Sequence, residues 1–475
     1  MSPARLGLFV ALLSAGCATN PVTGRSELAL VSEGQEIQMG QEYAEQVKAS
    51  IGLYPDPALQ TYVAGLGQKL AAKSERPQIP WQFHVLDDPA VNAFALPGGP
   101  VFITRGILTH MNSEAELVSV LGHEIGHITA RHSVQQMSQA QLANLGLGVG
   151  SILSPTIANI SGVASAGLSV LFLKYGRDAE RQADALGFKY MVRENYDPRD
   201  MAAMFETLQR SGGSGEGRLP NWLSSHPNPE DRETTVRQRI DSAGITTAGR
   251  VSNREGLLQR VDGMTFGENP REGFFRGGLF LHPDLRFQLQ FPDGWATQNT
   301  KQAVAALSPD KDAILQLSLG QGSPDQAARQ FFAQQGVQGS NVSSNSINGN
   351  PAVSGYFAAQ TEQGQVQGIV SFVQYGSTTY QLLGYTPAAR MRAYDATFRR
   401  TIGSFDRLTD PSALNVQPAK VRLVRLPRQM TIEEFTRQYP STVPAEQVAV
   451  INGVDPGAVL SAGQTAKQVV GGVRP

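Results

Sequence analysis

The stretch that most restricts what this chain can fold into is Leu117 to His132, LVSVLGHEIGHITARH. His123 and His127 are four residues apart, so on a helix they stand one above the other on one face. That spacing lets two imidazoles reach a single metal ion, and Glu124, next to the first of them, projects beside it. Leu117, Val118, Val120, Leu121, Ile125 and Ile128 leave the segment mostly apolar, so the helix is expected to be buried. Gly122 and Gly126 each lower helix propensity by roughly 1 kcal/mol against Ala, which suits a helix crowded by another backbone or by a metal. Ser113 with Glu116 predicts a capping box that opens it. The plainer alternative is a core helix with two satisfied histidines.

A catalytic zinc takes three protein ligands and keeps one position open. Arg177 to Asp184, RDAERQAD, places Glu180 and Asp184 on one side of a helix. Glu180 can be the third ligand. Asp184 can accept a hydrogen bond from a ligating imidazole, which fixes its tautomer. Taken alone, the stretch reads as a charged surface helix. His226, in SSHPNPEDR, can donate to a developing oxyanion or sit on the metal as a removable fourth ligand. Arg232 can serve the same oxyanion or support the loop. His132 lies five positions beyond His127, off the ligand face, and reads as structural. His84, His110 and His282 have no partner pattern.

The 475 residues predict two to four domains, and a net charge of −1 offers no footprint for nucleic acid. Cys17 is the single cysteine, so no intramolecular disulfide can form. Leu6 to Leu13 is an apolar run too short to span a membrane. With Ser14-Ala15-Gly16-Cys17 after it, it resembles a signal peptide ending in a bacterial lipobox, in which Cys17 is lipidated. Ala18, where inner-membrane retention would use Asp, implies anchoring in the outer membrane, facing the periplasm.

Residues 1–16 then form the signal peptide and 17–32 a lipidated tether. Ser32 with Gln35 caps a helix from about residue 33 to 49, and a second runs from about 58 to 72. Trp81 to Leu86 reads as a strand. Val91–Ala95 and Val101–Thr104 flank Pro97-Gly98-Gly99-Pro100 as a hairpin. Residues 137–174 read as a helical pair covering a cleft, its second half striped by Ile160, Val163, Leu168 and Leu171. The expected domains are a peptidase-like unit over 33–245, a linker over 246–272, a sheet domain over 273–408, a linker over 409–420 and a small module over 421–475. The fold class is α+β: a mainly helical zincin-like domain with a small hairpin sheet, an α+β sheet domain whose layout resembles PsbP-like domains, and a C-terminal module that resembles LysM peptidoglycan-binding modules.

His123, Glu124 and His127, then Glu180 and Asp184, then His226 and Arg232 together resemble the zinc metallopeptidases (gluzincins) that include the HtpX heat-shock protease and the CAAX prenyl protease. Asn20-Pro21-Val22-Thr23-Gly24 and Asn92-Ala93-Phe94-Ala95-Leu96-Pro97-Gly98-Gly99 are similar to its periplasmic lipoprotein branch. The resemblance implies one zinc per chain on His123, His127 and Glu180, with Glu124 as general base and His226 at the oxyanion or the metal. It implies Asp184 and Arg232 behind the ligands, and a strand edge at Asn92, Ala93, Phe94 and Ala95 that pairs with an extended peptide. The implied function is a zinc endopeptidase degrading misfolded envelope proteins, anchored by lipid at Cys17, with peptidoglycan as a partner of the C-terminal module. The alternative is a lipid-anchored binding or assembly factor with a latent or structural zinc site.

Overall fold

The computed structural model describes residues 17–147, 174–212, 222–226, 232–361 and 364–472. The stretches expected as a signal peptide and as an apolar stripe between 160 and 171 lie outside them. The chain divides into two units: one takes the residues up to Glu268 together with those from Ala419 onward, the other Asn269–Pro418. Among the described residues no helix is long and apolar enough to cross a membrane.

In the first unit, Ser32 and Gln35 form both halves of a capping box at the start of helix Glu33–Ile51. Asp56 caps helix Pro57–Ala71, with Pro57 at its first position. A three-stranded sheet follows. Gln82–Leu86 runs parallel to Pro100–Thr104, which pairs antiparallel with Ala93–Ala95 as the hairpin signals predict. Gly98 sits at φ +74° in the hairpin turn, and a Cβ there would lie 2.5 Å from Ile37 Cα, so glycine alone fits.

Helix Glu114–Thr129 is buried along its whole length. Only half of its expected capping box forms. Ser113 Oγ accepts from the Glu116 N–H at 3.1 Å, but the Glu116 carboxylate takes the Asn112 N–H at 2.6 Å. The glycine positions are explained by helix Arg177–Arg193, which packs directly on this one. A Cβ on Gly122 would lie 3.0 Å from Gly187 Cα, and one on Gly126 would lie 3.0 Å from Ala183 Cα. A neighbouring backbone crowds the helix at both glycines.

Three stretches expected as connectors or appendages are folded. In the tether, Cys17–Thr19 pairs antiparallel with Ser26–Leu28. Asn20 is buried; its Oδ1 accepts from the Val22 and Thr23 N–H groups, and its Nδ2 donates to Ala130 O. Within the 246–272 linker, helix Arg254–Val261 places Leu257, Leu258 and Val261 in the main core. The C-terminal segment orders as strand Ala419–Arg425, helices Ile432–Gln438 and Ala445–Ile451, and strand Thr465–Gly471, the two strands paired antiparallel. It joins the first unit through backbone pairing of Gly263 and Phe266 with Val421 and Ala419.

The second unit is built on a seven-stranded antiparallel sheet. Its order is Val337–Ile347, Asn350–Thr361, Gly364–Tyr375, Thr378–Pro387, Ile314–Leu319, Ala303–Leu307, Ala296–Asn299. Alternation along the strands makes two cores. Ala352, Ile369 and Leu382 pack with Phe398 and Ile402 of helix Met391–Gly403. Val353, Val370 and Leu383 pack with Ala327, Ala328 and Phe331 of helix Pro324–Phe332. The polar strand Val337–Ile347 escapes sequence reading because it is an exposed edge with no apolar alternation.

Candidate metal centre

Helix Glu114–Thr129 supplies His123, Glu124 and His127; helix Arg177–Arg193 supplies Glu180 and Asp184. His226 follows the short helix Trp222–Ser225, and Arg232 begins helix Arg232–Ser242. One ligand atom from each of His123, His127, Glu180 and His226 lies within 4.8 Å of the others, and all four residues are buried. His127 Nε2 is 3.0 Å from His123 Nε2 and 3.4 Å from Glu180 Oε1. His226 Nδ1 is 3.0 Å from Glu180 Oε1 and 3.2 Å from His123 Nε2. Glu124 Oε1 lies 3.6 Å from His226 Nε2 and accepts from Trp222 Nε1 at 3.3 Å.

The groups behind the imidazoles determine which nitrogen is bare. Asp184 Oδ1 lies 2.9 Å from His123 Nδ1, so that nitrogen carries the proton and Nε2 faces the cluster with a lone pair. Arg232 donates through Nε to Asp184 Oδ2 at 2.8 Å, with its guanidinium against the rings of Phe205 and Trp222. Arg232 is thus a support for Asp184. His127 has a longer relay. Gln182 Oε1 lies 2.9 Å from His132 Nε2, and His132 Nδ1 lies 2.9 Å from His127 Nδ1. With the amide oxygen accepting, His132 Nδ1 accepts in turn and leaves His127 Nε2 bare. Two bare nitrogens 3.0 Å apart repel each other, and a cation between them removes the repulsion.

His132 thus does more than the structural reading allows. The ligand helix ends at Thr129, and Arg131 takes a left-handed φ of +59°, so His132 opens a new helix and turns back to His127. Its part is invisible to a helical wheel that assumes one unbroken helix. Tyr175, whose ring stacks on His127 at 3.9 Å between centroids, and Trp222, stacked on His226 at 4.7 Å, carry no spacing signal either.

The charge balance fits a cation as well. Burial alone would raise the Glu180 carboxyl, but the imidazoles around it, His226 foremost, outweigh it and hold it well below the usual range. Asp184 is likewise lowered against its burial, chiefly by the Arg232 guanidinium. Burial holds His127 well below its ordinary value, which favours the neutral, ligating ring. For His226, burial works toward neutrality, and the Glu180 and Glu124 carboxylates outweigh it, raising its pKa. Those carboxylates call for positive charge at this spot. Glu180 Oε2, 3.4 Å from Arg232 Nη1, and Glu124 Oε2 are buried with no hydrogen-bond partner among the described residues. Three imidazoles and a carboxylate form the donor set zinc prefers.

The expected substrate strand lies at the edge of its sheet, paired on one side only to Pro100–Thr104 among the described residues. Asn92, Ala93, Phe94 and Ala95 are all buried, and Phe94 stacks on Phe102 at 5.2 Å. The carbonyl of the preceding Val91 accepts from the Trp222 N–H at 2.9 Å, which ties the strand to the His226 segment.

Comparison with known proteins agrees with this centre. Residues 57–240 match the model of Peptidase family M48. The β-barrel assembly-enhancing protease of Escherichia coli (strain K12) is 32% identical over 298 residues, which cover 61% of this chain and 58% of that protein. The mitochondrial metalloendopeptidase OMA1 of Arabidopsis thaliana is 34% identical over 171 residues, covering 35% of this chain and 33% of that one. The chain thus spans less than two thirds of these relatives. Among solved structures, cyanobacterial PsbP from Synechocystis sp. PCC 6803 is similar at 14% identity and a TM-score of 0.24, covering 28% of this chain and 94% of that one. The matched stretch, residues 57–240, carries every side chain of the metal centre, so the likeness to Peptidase family M48 falls on the residues that form it.

Proposed function

We propose that the chain is a zinc endopeptidase of the bacterial cell envelope, anchored by a lipid on Cys17 at the outer membrane and hydrolysing misfolded envelope proteins. The observation that carries this reading is the buried set of His123, His127, Glu180 and His226 with Glu124 beside it. Zinc bound there supplies a Lewis acid and an acidified water. Glu124 is the general base, and it returns the proton to the leaving amine. The names of the relatives, a protease of β-barrel assembly and a metalloendopeptidase, support envelope proteolysis. The sheet edge at Asn92–Ala95 supports pairing with an extended substrate.

His226 lies within the ligand set, which favours the capping role over the oxyanion role. In this reading the resting site is closed, and substrate or a partner displaces His226. The two helices of residues 419–471 lie within a second short strand pair, Met430–Thr431 with Val459–Leu460, itself set between the paired outer strands; this nested order supports the LysM-like reading of the module, and retention on peptidoglycan sacculi tests it.

The deciding experiment is casein digestion by the zinc-loaded protein from Ala18 onward, beside Glu124→Gln and His226→Ala. Cleavage by the unmodified chain or by His226→Ala, abolished by Glu124→Gln, is the expected result. Silence from all three with zinc bound replaces the reading with that of a binding or assembly factor whose zinc is structural.

A further inference from the structure

Lys467, on the last strand of the chain, is fully buried. Its Nζ donates to Thr109 O at 2.9 Å and to Met111 O at 2.8 Å. These carbonyls lie where helix Arg105–His110 ends, just before Ser113, the N-cap of the metal-ligand helix. Burial lowers the Lys467 amine well below the ordinary lysine value, and even the neutral amine has two N–H donors for these two carbonyls. The rest of the turn is held in the same way. Arg254 donates to Asn112 O at 3.3 Å and to Thr465 O at 3.2 Å, and Asn112 Nδ2 donates to His110 O at 3.1 Å. All four carbonyls from 109 to 112 therefore accept from side chains, and Lys467 takes two of them.

The module holds Lys467 in turn. Asn452 Oδ1 accepts from the Lys467 N–H at 2.8 Å, and Asn452 Nδ2 donates to Lys467 O at 2.9 Å. Gly453, at φ +68°, closes on the same turn: a Cβ there would lie 2.8 Å from Asn112 Nδ2. A buried ammonium is costly unless acceptors satisfy it, and an apolar side chain would fill the space without that cost. What Lys467 adds is a grip on two carbonyls.

We infer that Lys467 is a positioning residue for the metal-ligand helix, through which the C-terminal segment completes the peptidase unit by clamping the turn that launches His123 and His127. A helix is stiff, so a tilt at Ser113 displaces His123, about 15 Å further along, with it. The structural part of this inference stands on the contacts alone; its consequence for zinc rests on the proposed function.

The test uses the full chain and native-state hydrogen exchange in increasing urea. With the clamp intact, amides of 113–121 and 465–471 open in one event with one urea dependence. Strand 465–471 opening first, while 113–121 stays protected, overturns the inference and needs no variant. Lys467→Met is then compared with Lys420→Met, an exposed lysine of the same module. Lys467→Met is expected to speed exchange over 109–117 and to weaken zinc retention against a chelator about ten-fold, with Lys420→Met unchanged. Wild-type exchange and wild-type zinc affinity in Lys467→Met overturn it. Absence of zinc from the unmodified chain defeats the functional reading instead, while the exchange experiment can still be scored on the apoprotein.

Discussion

The two imidazoles of the His-Glu-x-x-His helix are each held by a side chain from helix Arg177–Arg193: His123 directly by Asp184, His127 by Gln182 through His132. Glu124→Gln keeps this frame and removes only the base. It is expected to retain zinc one to one and to lower kcat/KM by about 10²- to 10⁴-fold, read by zinc content and peptide cleavage together. Asp184→Asn removes the charge that pairs with the buried Arg232 and weakens the hold on the His123 tautomer. Zinc affinity should fall by about 10- to 100-fold in chelator competition, and unchanged affinity would remove Asp184 from the site. The four-residue spacing made His123, His127, Glu180 and Asp184 legible, because partners on one helix face are a matter of period. Gln182 and His132 were not, because their part depends on one left-handed residue, Arg131, at the break between two helices.

Between elements, the decisive contact is the close approach of the two ligand helices. A Cβ on Gly187 would lie 2.9 Å from the His123 backbone nitrogen. Gly187→Ala should therefore force the helices apart, costing about 1–3 kcal/mol in urea unfolding and weakening zinc binding as well. Gly65, inside helix Pro57–Ala71, has nothing among the described residues within 4 Å of its would-be Cβ. Gly65→Ala should stabilise by about 0.4–1 kcal/mol, since it restricts the unfolded chain and meets no neighbour. One substitution with opposite signs at two sites checks that crowding, and not helix propensity, explains the glycines. The cost of Gly122 and Gly126 was visible in the sequence; that the crowding comes from a second helix was not.

At the scale of the molecule, the unit that holds the metal centre is discontinuous, its two parts separated along the chain by Asn269–Pro418. Its strand Thr465–Gly471 reaches back about 360 positions to the turn before the metal-ligand helix, a contact of very long sequence separation that forms late in folding. Beneath that contact, burial raises Glu116 to about 7 from an ordinary 4.5, against the pull of the Asn112 N–H, Lys467 and Arg254. A carboxyl whose folded pKa is raised keeps its proton longer in the folded state. Its stabilising contribution is present below pH 4.5 and is lost as pH rises to about 7. Burial lowers His110 to about 4, which gives the opposite slope over an overlapping range, so the comparison must isolate Glu116. The difference in urea midpoint between the unmodified chain and Glu116→Gln should shift in favour of Glu116→Gln from pH 5 to pH 7.5. A pH-independent difference would place Glu116 outside this titration.

Period and spacing alone determined which residues share a face. They marked the buried His-Glu-x-x-His helix, the capped helix at Ser32, the hairpin around Gly98 and the main strands of the sheet unit, because each is a local pattern. The tertiary structure decided how those pieces meet. It folded the tether against Ala130, built a core helix within the 246–272 linker and brought the C-terminal module into the unit that holds the metal centre. It also decided that Lys467, which in sequence is one polar residue of a short strand, lies buried beneath the active helix. Contacts of this kind arise from burial between distant segments, and no periodicity within either segment records them.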